Sequence, residues 1–186
     1  MTQHMSDGLR MVIQKMFFSA TIPKPMKEKI EGLANNIQWV EIQKHISNKL
    51  NIAEKVYYSD DYDKEELLFH VLYENLREKT LIFFNDRIRA REVYQALDKA
   101  DFKVEFVHGK KGSNTRVNTI NKFKKNEFNI LISTDVLGRG IDITDIKLVI
   151  NFEMPDNKEN YEHRIGRTGR HGRQGTALSF CCYKEI

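Results

Sequence analysis

Three arginines at a fixed spacing are the first feature of this chain that suggests chemistry. In His163-Arg-Ile-Gly-Arg-Thr-Gly-Arg170, Arg164, Arg167 and Arg170 recur every three residues, with Gly166 and Gly169 between them. Residues three apart are neighbours on a helical turn, so Arg167 and Arg170 can converge on one anion while the glycines admit backbone or ligand closely. Planar guanidinium groups grip phosphate oxygens bidentately. The same residues also read as a basic surface loop, or as a glycine-arginine patch that touches RNA backbone without nucleotide chemistry.

A second segment, Ser133-Thr-Asp-Val-Leu-Gly-Arg-Gly-Ile-Asp142, leaves the carboxyl end of an apolar run that starts at Ile130. Hydroxyls of Ser133 and Thr134 and the N–H groups of the loop could hold phosphates, and Asp142 is a residue type that accepts hydrogen bonds from ribose hydroxyls. The alternative is a strand-to-helix turn whose glycines only satisfy backbone geometry. In Phe18-Ser-Ala-Thr21, Ser19 and Thr21 place hydroxyls at the end of another apolar run, a weak signal by itself. Asn85-Asp86-Arg87 and His108-Gly109, the latter followed by Arg116, also come after apolar runs. Each could touch a phosphate backbone or be no more than a capped loop. Gly109-Lys-Lys-Gly112 looks like a glycine phosphate loop, yet G-x-x-x-x-G-K-[ST] occurs nowhere in the chain. No paired-carboxylate element follows a strand to hold magnesium. A triphosphate has no cradle in this sequence.

The elements that must position these residues follow from periodicity. Short β-branched or aromatic runs at Lys55 to Ser59, Thr80 to Phe84, Lys103 to His108, Asn129 to Thr134, Lys147 to Phe152 and Thr176 to Cys181 alternate with helical segments. That is the pattern of βαβ units around a parallel sheet. Asp63 and Glu66 are placed as N-cap and N3 of a helix whose apolar stripe is Leu67, Leu68, Val71, Leu72 and Leu76. A second helix shows Ala90, Val93, Tyr94 and Leu97 on one face, and a third shows Val117, Ile120 and Phe123, opened by Ser113 or Asn114. The expected fold is an α/β, doubly wound parallel sheet flanked by helices. Its ligands should collect in the loops after Phe84, His108, Thr134 and Phe152, beyond the carboxyl ends of the strands. Ahead of this pattern, Met16 to Phe18 reads as a buried strand, Pro25 to Leu33 as a short helix and Ile37 to Ile42 as another strand, with the polar stretch Gln43 to Asn51 as a linker.

Composition narrows the classes. The 186 residues suit one domain of ordinary size with room for a short appendage, and 40% hydrophobic with 30% charged residues is what a soluble globular protein shows. No apolar run approaches the roughly 20 residues that span a bilayer, so a membrane role is not expected. Cys181 and Cys182 are adjacent and would point to opposite faces of a strand, which disfavours a shared metal or a disulfide. With no signal peptide evident, an intracellular setting is expected, cytoplasm or nucleus. The net charge of +4 permits a polyanionic partner without demanding one.

Taken in order, Ser-Ala-Thr at 19–21, Leu-Ile-Phe-Phe-Asn at 81–85, His-Gly at 108–109, Thr-Asp-Val-Leu-Gly-Arg-Gly-Ile-Asp at 134–142 and His-Arg-Ile-Gly-Arg-Thr-Gly-Arg at 163–170 resemble motifs III, IV, IVa, V and VI of the DEAD-box ATP-dependent RNA helicases of superfamily 2. The resemblance implies a RecA-like C-terminal helicase domain over residues 53–186. It also implies an interdomain linker at 43–52 and a remnant of a first RecA-like domain, including motif III, at 1–42. Both ends of the chain then read as cuts.

By position, the resemblance implies that Arg167 and Arg170 are arginine fingers that reach the γ-phosphate of ATP, with Mg²⁺ held by a first domain. It implies that His163 couples the ATP site to the cleft and that Asp142, with Gly140, contacts the nucleotide. Asn85, Arg87, Gly109, Arg116, Thr134 and Asp135 would line the path of single-stranded or duplex RNA. Ser19, Thr21, Arg139 and Arg164 would couple the two domains. Partners implied are RNA, the N-terminal RecA-like domain and regulatory proteins; no metal site is expected on this chain, and the chain alone should not turn over ATP. Two departures stand out: Ser113 replaces a customary glutamine of motif IVa, and Gly138 replaces a small alanine in motif V.

Overall fold

The computed structural model describes residues 16–18, 22, 24–33, 37–40, 51–60, 63–134, 143, 145–170 and 172–182. The chain divides into two units, Met1–Ser47 and Asn48–Ile186. In the first, helix α1 (Lys24–Glu31) forms with Pro25 in its opening turn, where the missing N–H costs nothing. The expected strand at Met16–Phe18 is not found: the three residues carry no regular structure and are 65, 48 and 85% exposed. Ile37 to Val40 likewise carry none, and the remaining two residues of that expected strand lie outside the described residues. An apolar run becomes a strand only where a neighbour takes up its backbone hydrogen bonds, and among the described residues none pairs with either segment.

The second unit is built from β1 (Ile52–Tyr58), α2 (Lys64–Glu74), β2 (Thr80–Phe84), α3 (Arg87–Lys99), β3 (Val104–Val107), α4 (Ser113–Lys124), β4 (Ile130–Thr134), β5 (Leu148–Asn151), α5 (Lys158–Ile165) and β6 (Gly175–Cys181). All strand pairs are parallel, in the order β1-β6-β5-β2-β4-β3. Strands buried on both faces must be apolar at successive positions, and β2 (Thr-Leu-Ile-Phe-Phe) is buried throughout. Its period of two divides the core. Ile82 and Phe84 join Leu68, Leu72, Val93 and Leu97 of α2 and α3 on one face, whereas Leu81 and Phe83 join Ile120 and Phe123 of α4 on the other. The chain moves outward from β2 to β3, returns to β4, and then places β5 on the opposite flank of β2. β2 is therefore the switch point, where loops diverge and leave a crevice.

Several local expectations are corrected by packing. Asp63 precedes α2 but has helical backbone angles and makes no capping bond, because a cap side chain reaches the first N–H groups only from extended backbone. Leu76 lies beyond α2 and is 53% exposed, and Val117 on α4 is 52% exposed while Thr119, its neighbour on the inward face, is buried. Gly112, not Ser113 or Asn114, occupies the position before α4. β1 starts earlier than its apolar pattern suggests, since Ile52 pairs in register with Gly175 at the start of β6. Cys181 and Cys182 are both buried, and neither forms a disulfide.

Candidate functional site

The strand register brings three of the singled-out segments into one row. Phe84 pairs with Thr134 and Val107 with Ser133, so the residues following β2, β4 and β3 lie side by side at the carboxyl edge of the sheet. Asp86 leaves β2 in extended conformation and its carboxylate accepts a hydrogen bond from the Ile88 N–H at 2.9 Å, which starts α3 with Arg87 as its first residue. Arg91 follows one turn later on the same face. Gly109 is exposed beyond β3, and Arg116 is half-buried in the first turns of α4. Thr134 is half-buried at the edge, whereas Ser133 is fully buried with its hydroxyl donating to the Thr134 carbonyl at 2.5 Å. Of the two hydroxyls expected to hold phosphate, only that of Thr134 is positioned at the surface.

His108 shows the electrostatics of this edge. Burial holds its pKa below the ordinary 6.5, and the positive charges of Arg87, Lys111, Arg91 and Lys110 push it further down. Its Nδ1 accepts a hydrogen bond from the Lys110 N–H at 3.2 Å, so the neutral ring carries its proton on Nε2. Four cations near one neutral imidazole leave this edge positive, a field suited to a phosphate backbone. A cleft of about 240 Å³ beside it is lined by Arg91, Tyr94, Glu105, Phe106, His108 and Lys111.

The arginine segment follows α5 and runs to the starts of β5 and β6, and from it the Arg164 side chain reaches back to this edge. Asn157 caps α5, accepting from the Asn160 N–H at 2.8 Å, and Gly166 ends it. Arg167 and Arg170 therefore lie just past the helix rather than on it. Each folds back: Arg167 Nε donates to the His163 carbonyl at 3.0 Å and Arg170 Nε to the Gly166 carbonyl at 2.7 Å, meeting carbonyls that a helix end leaves unpaired. His163 is half-buried in the last turn of α5. Thr168, buried to 1% exposure, bridges to Ile146 and donates its hydroxyl to that residue's carbonyl at 2.6 Å. Gly169 takes a positive φ of 66°, and a Cβ on it would strike Ile52 at 2.6 Å. A Cβ on Gly175 would collide with the Thr168 hydroxyl. Both glycines are required by close approach, which fixes where Arg167 and Arg170 sit.

Arg164 behaves differently from the two arginines after it. It is 1% exposed, donates to the Glu153 carbonyl at 2.8 Å and to Asn85 Oδ1 at 2.6 Å, and lies 5.2 Å from the centre of the Phe83 ring. Asn85 in turn donates to the Met154 carbonyl at 2.7 Å. The Glu153 carboxylate accepts from the backbone N–H groups of Asn85 and Asp86, at 2.5 and 3.0 Å. The arginine segment, the loop after β5 and the loop after β2 are thus tied through Arg164, Glu153 and Asn85. Sequence reasoning missed Glu153, Thr168 and Gly175. For Glu153 a signal existed: it is the acidic residue just past the apolar run Leu148 to Phe152, the place that Asn85 holds after β2. Ser19, Thr21, Asp135, Arg139, Gly140 and Asp142 lie outside the described residues. Among the described residues no cluster of three His, Cys, Asp or Glu side chains could hold a metal ion, and no helix is long and apolar enough to cross a membrane.

A parallel sheet with a basic carboxyl edge, reached at its switch point by the buried Arg164, defines the class: a RecA-like helicase domain. Residues 63–172 match the family model described as the helicase conserved C-terminal domain. An ATP-dependent RNA helicase RhlB from Psychromonas ingrahamii is 33% identical over 171 residues, covering 92% of this chain and 41% of the relative. Among solved structures, the E. coli DEAD-box protein SrmB bound to RraA, regulator of ribonuclease activity A, superposes with a TM-score of 0.64 at 36% identity over 69% of this chain and 77% of that one. S. cerevisiae Dbp5 bound to RNA and ADP BeF3 gives 0.74 at 31% identity, over 90% of this chain and 45% of that one. This chain belongs to the DEAD-box helicase family as a helicase C-terminal domain. It spans about two fifths of the length of the curated relatives it matches.

Proposed function

We propose that this chain is the C-terminal half of an ATP-dependent RNA helicase. It supplies arginine fingers and RNA-backbone contacts, and a separate RecA-like domain supplies the phosphate loop and the Mg²⁺ site. Arg167 and Arg170 reach across the cleft to the γ-phosphate and stabilise the charge that spreads over its oxygens as water displaces ADP. His163 couples that site to the cleft, and Asp142 with Gly140 holds the nucleotide. Arg87, Arg116, Gly109, Thr134 and Asp135 line the RNA backbone. Asn85 acts mainly by shaping its loop, because its side chain already serves Arg164 and Met154. Ser19, Thr21, Arg139 and Arg164 link the two domains. Closure of the domains on ATP and RNA bends one strand, so that a short duplex separates locally.

The observation that carries this reading is the Arg164 tie, which joins the segment bearing Arg167 and Arg170 to the loop bearing Arg87 through two hydrogen bonds. A rigid link of this kind lets occupation of one site set the geometry of the other. Binding through backbone contacts ignores base sequence and weakens with salt. A second reading, a non-catalytic RNA clamp or interaction module, is favoured by the positive edge around His108, which needs no nucleotide to attract RNA.

RNA-stimulated ATP turnover separates the two. The chain alone should be silent, since the G-x-x-x-x-G-K-[ST] loop is absent from its sequence. Mixed with a DEAD-box first domain it should restore turnover, which Arg167→Ala or Arg170→Ala lowers by about 10³-fold or more. Turnover by the chain alone refutes the division of labour, and silence of the mixture with RNA binding intact selects the clamp.

A further inference from the structure

The pole of the sheet opposite Arg87, Gly109 and Thr134 holds a larger groove, of about 680 Å³, a size that in other proteins accommodates small ligands or a few side chains. It forms where α3 and α4 end and the next strands begin: Asp101 and Asn126 both turn the chain with φ of 61°, and Lys79, Lys103 and Asn129 immediately precede β2, β3 and β4. A strand of five residues separates the two poles by about 17 Å.

The groove has an apolar floor and a cationic rim. Phe102 and Phe128 are nearly buried at 8 and 6% exposure, and Tyr73, packed 5.0 Å from the Phe102 ring, is 55% exposed, as is Leu76 at 53%. Arg77, Lys79 and Lys103 surround this floor, and among the described residues none of the three forms an ion pair. Lys79 is the most constrained: its ammonium donates to the Lys124 carbonyl at 3.1 Å and lies 5.4 Å from the Phe123 ring, and burial lowers its pKa. A partly desolvated cation without a counter-ion gains most from an incoming carboxylate.

We propose that this groove docks a short acidic segment of a partner protein, with an aromatic or aliphatic side chain seated against Tyr73 and Leu76 and carboxylates paired with Arg77, Lys79 and Lys103. A peptide suits the site better than RNA. The rings of Phe102 and Phe128 are too enclosed to stack with bases, and Asp101 in the lining opposes a continuous run of phosphates while it can accept a peptide N–H. Because the groove lies at the other pole from Arg87, Gly109 and Thr134, docking there is compatible with RNA held along that edge.

The test uses the 186-residue chain and a fluorescein-labelled peptide of alternating Asp and Glu around a single Phe, read by fluorescence anisotropy. Two control peptides replace the Phe by Ala or the acids by Lys. Binding should weaken about fivefold or more in Tyr73→Ala and in the Phe-to-Ala peptide, and be lost in the triple charge reversal Arg77→Glu, Lys79→Glu, Lys103→Glu. Circular dichroism identifies a variant that fails to fold; should the triple do so, Arg77→Glu with Lys103→Glu replaces it. No binding of the acidic peptide overturns the proposal, as does equal binding of the peptide lacking Phe, which would signify charge attraction alone. A charge reversal that reduces affinity for oligouridine as much as for the peptide assigns the surface to nucleic acid and likewise overturns it.

Discussion

Arg164→Ala tests whether the tie across the carboxyl edge is structural as well as geometric. The guanidinium is 1% exposed and donates at 2.8 Å to the Glu153 carbonyl and at 2.6 Å to Asn85 Oδ1, with the Phe83 ring 5.2 Å away. Hydrogen bonds to a charged group contribute about 1.5–3 kcal/mol each, and a desolvated cation over a ring adds about 2 kcal/mol. Against this, removing a buried charge returns several kcal/mol of desolvation, while truncation leaves a cavity and loses donors to two polar groups. The balance is a loss of about 3–5 kcal/mol for Ala. Arg164→Met fills the volume without the bonds and should cost about 2 kcal/mol less than Ala. Arg164→Lys keeps the charge but lacks the planar fork that spans both acceptors, so it should fall nearer Ala than wild type. Urea unfolding followed by far-ultraviolet circular dichroism, with the denaturant slope checked for constancy, measures all three. Should Arg164→Ala stay within about 0.5 kcal/mol of wild type, or Lys restore full stability, the tie contributes nothing and the reasoning fails.

Three further outcomes follow from packing and charge. The pKa of His108 is lowered on folding, so the unfolded chain binds the extra proton and stability falls as pH drops through the ordinary value of 6.5; between about pH 7 and pH 5 wild type should lose more of its urea midpoint than His108→Gln, and equal losses would refute this. Tyr161 donates to Glu54 at 2.7 Å, and burial with that bond pushes its pKa up to about 12. Its contribution is complete below the ordinary 10.0 and disappears as pH rises towards about 12, so Tyr161→Phe should flatten the alkaline limb; an unchanged limb contradicts it. Gly175→Ala places a methyl against the Thr168 hydroxyl and should cost about 1–3 kcal/mol, whereas Gly112→Ala, with nothing within 4 Å, should be near neutral; equal midpoints for the two variants would show that the close approach is not limiting.

The sequence by itself determined the sheet and the chemistry of its edge. Runs such as Leu81 to Phe84 and Ile130 to Ile132 have no polar alternation, which leaves burial on both faces as their stable arrangement and hence a parallel sheet with helices on each side. Ala90, Val93 and Leu97 fix the inward face of α3 for the same reason, and all three are buried. That the segments after Phe84, His108 and Thr134 share the carboxyl edge was legible because polar and basic residues directly follow apolar strands. What tertiary structure alone decided is which member of each chemical set turns inward. Ser133 and Thr134 are alike in type, yet β4 is buried on both faces as far as Ser133, and only Thr134, its last residue, emerges at the edge. Arg164, Arg167 and Arg170 share one spacing, but the helix ends at Gly166, so the first is captured by Asn85 and Glu153 while the others fold over the helix end. Those partners lie 79 and 11 residues away in sequence, beyond the reach of any local pattern. The strand expected at Met16–Phe18 failed on the same ground, because its formation depends on a neighbour that local sequence does not specify.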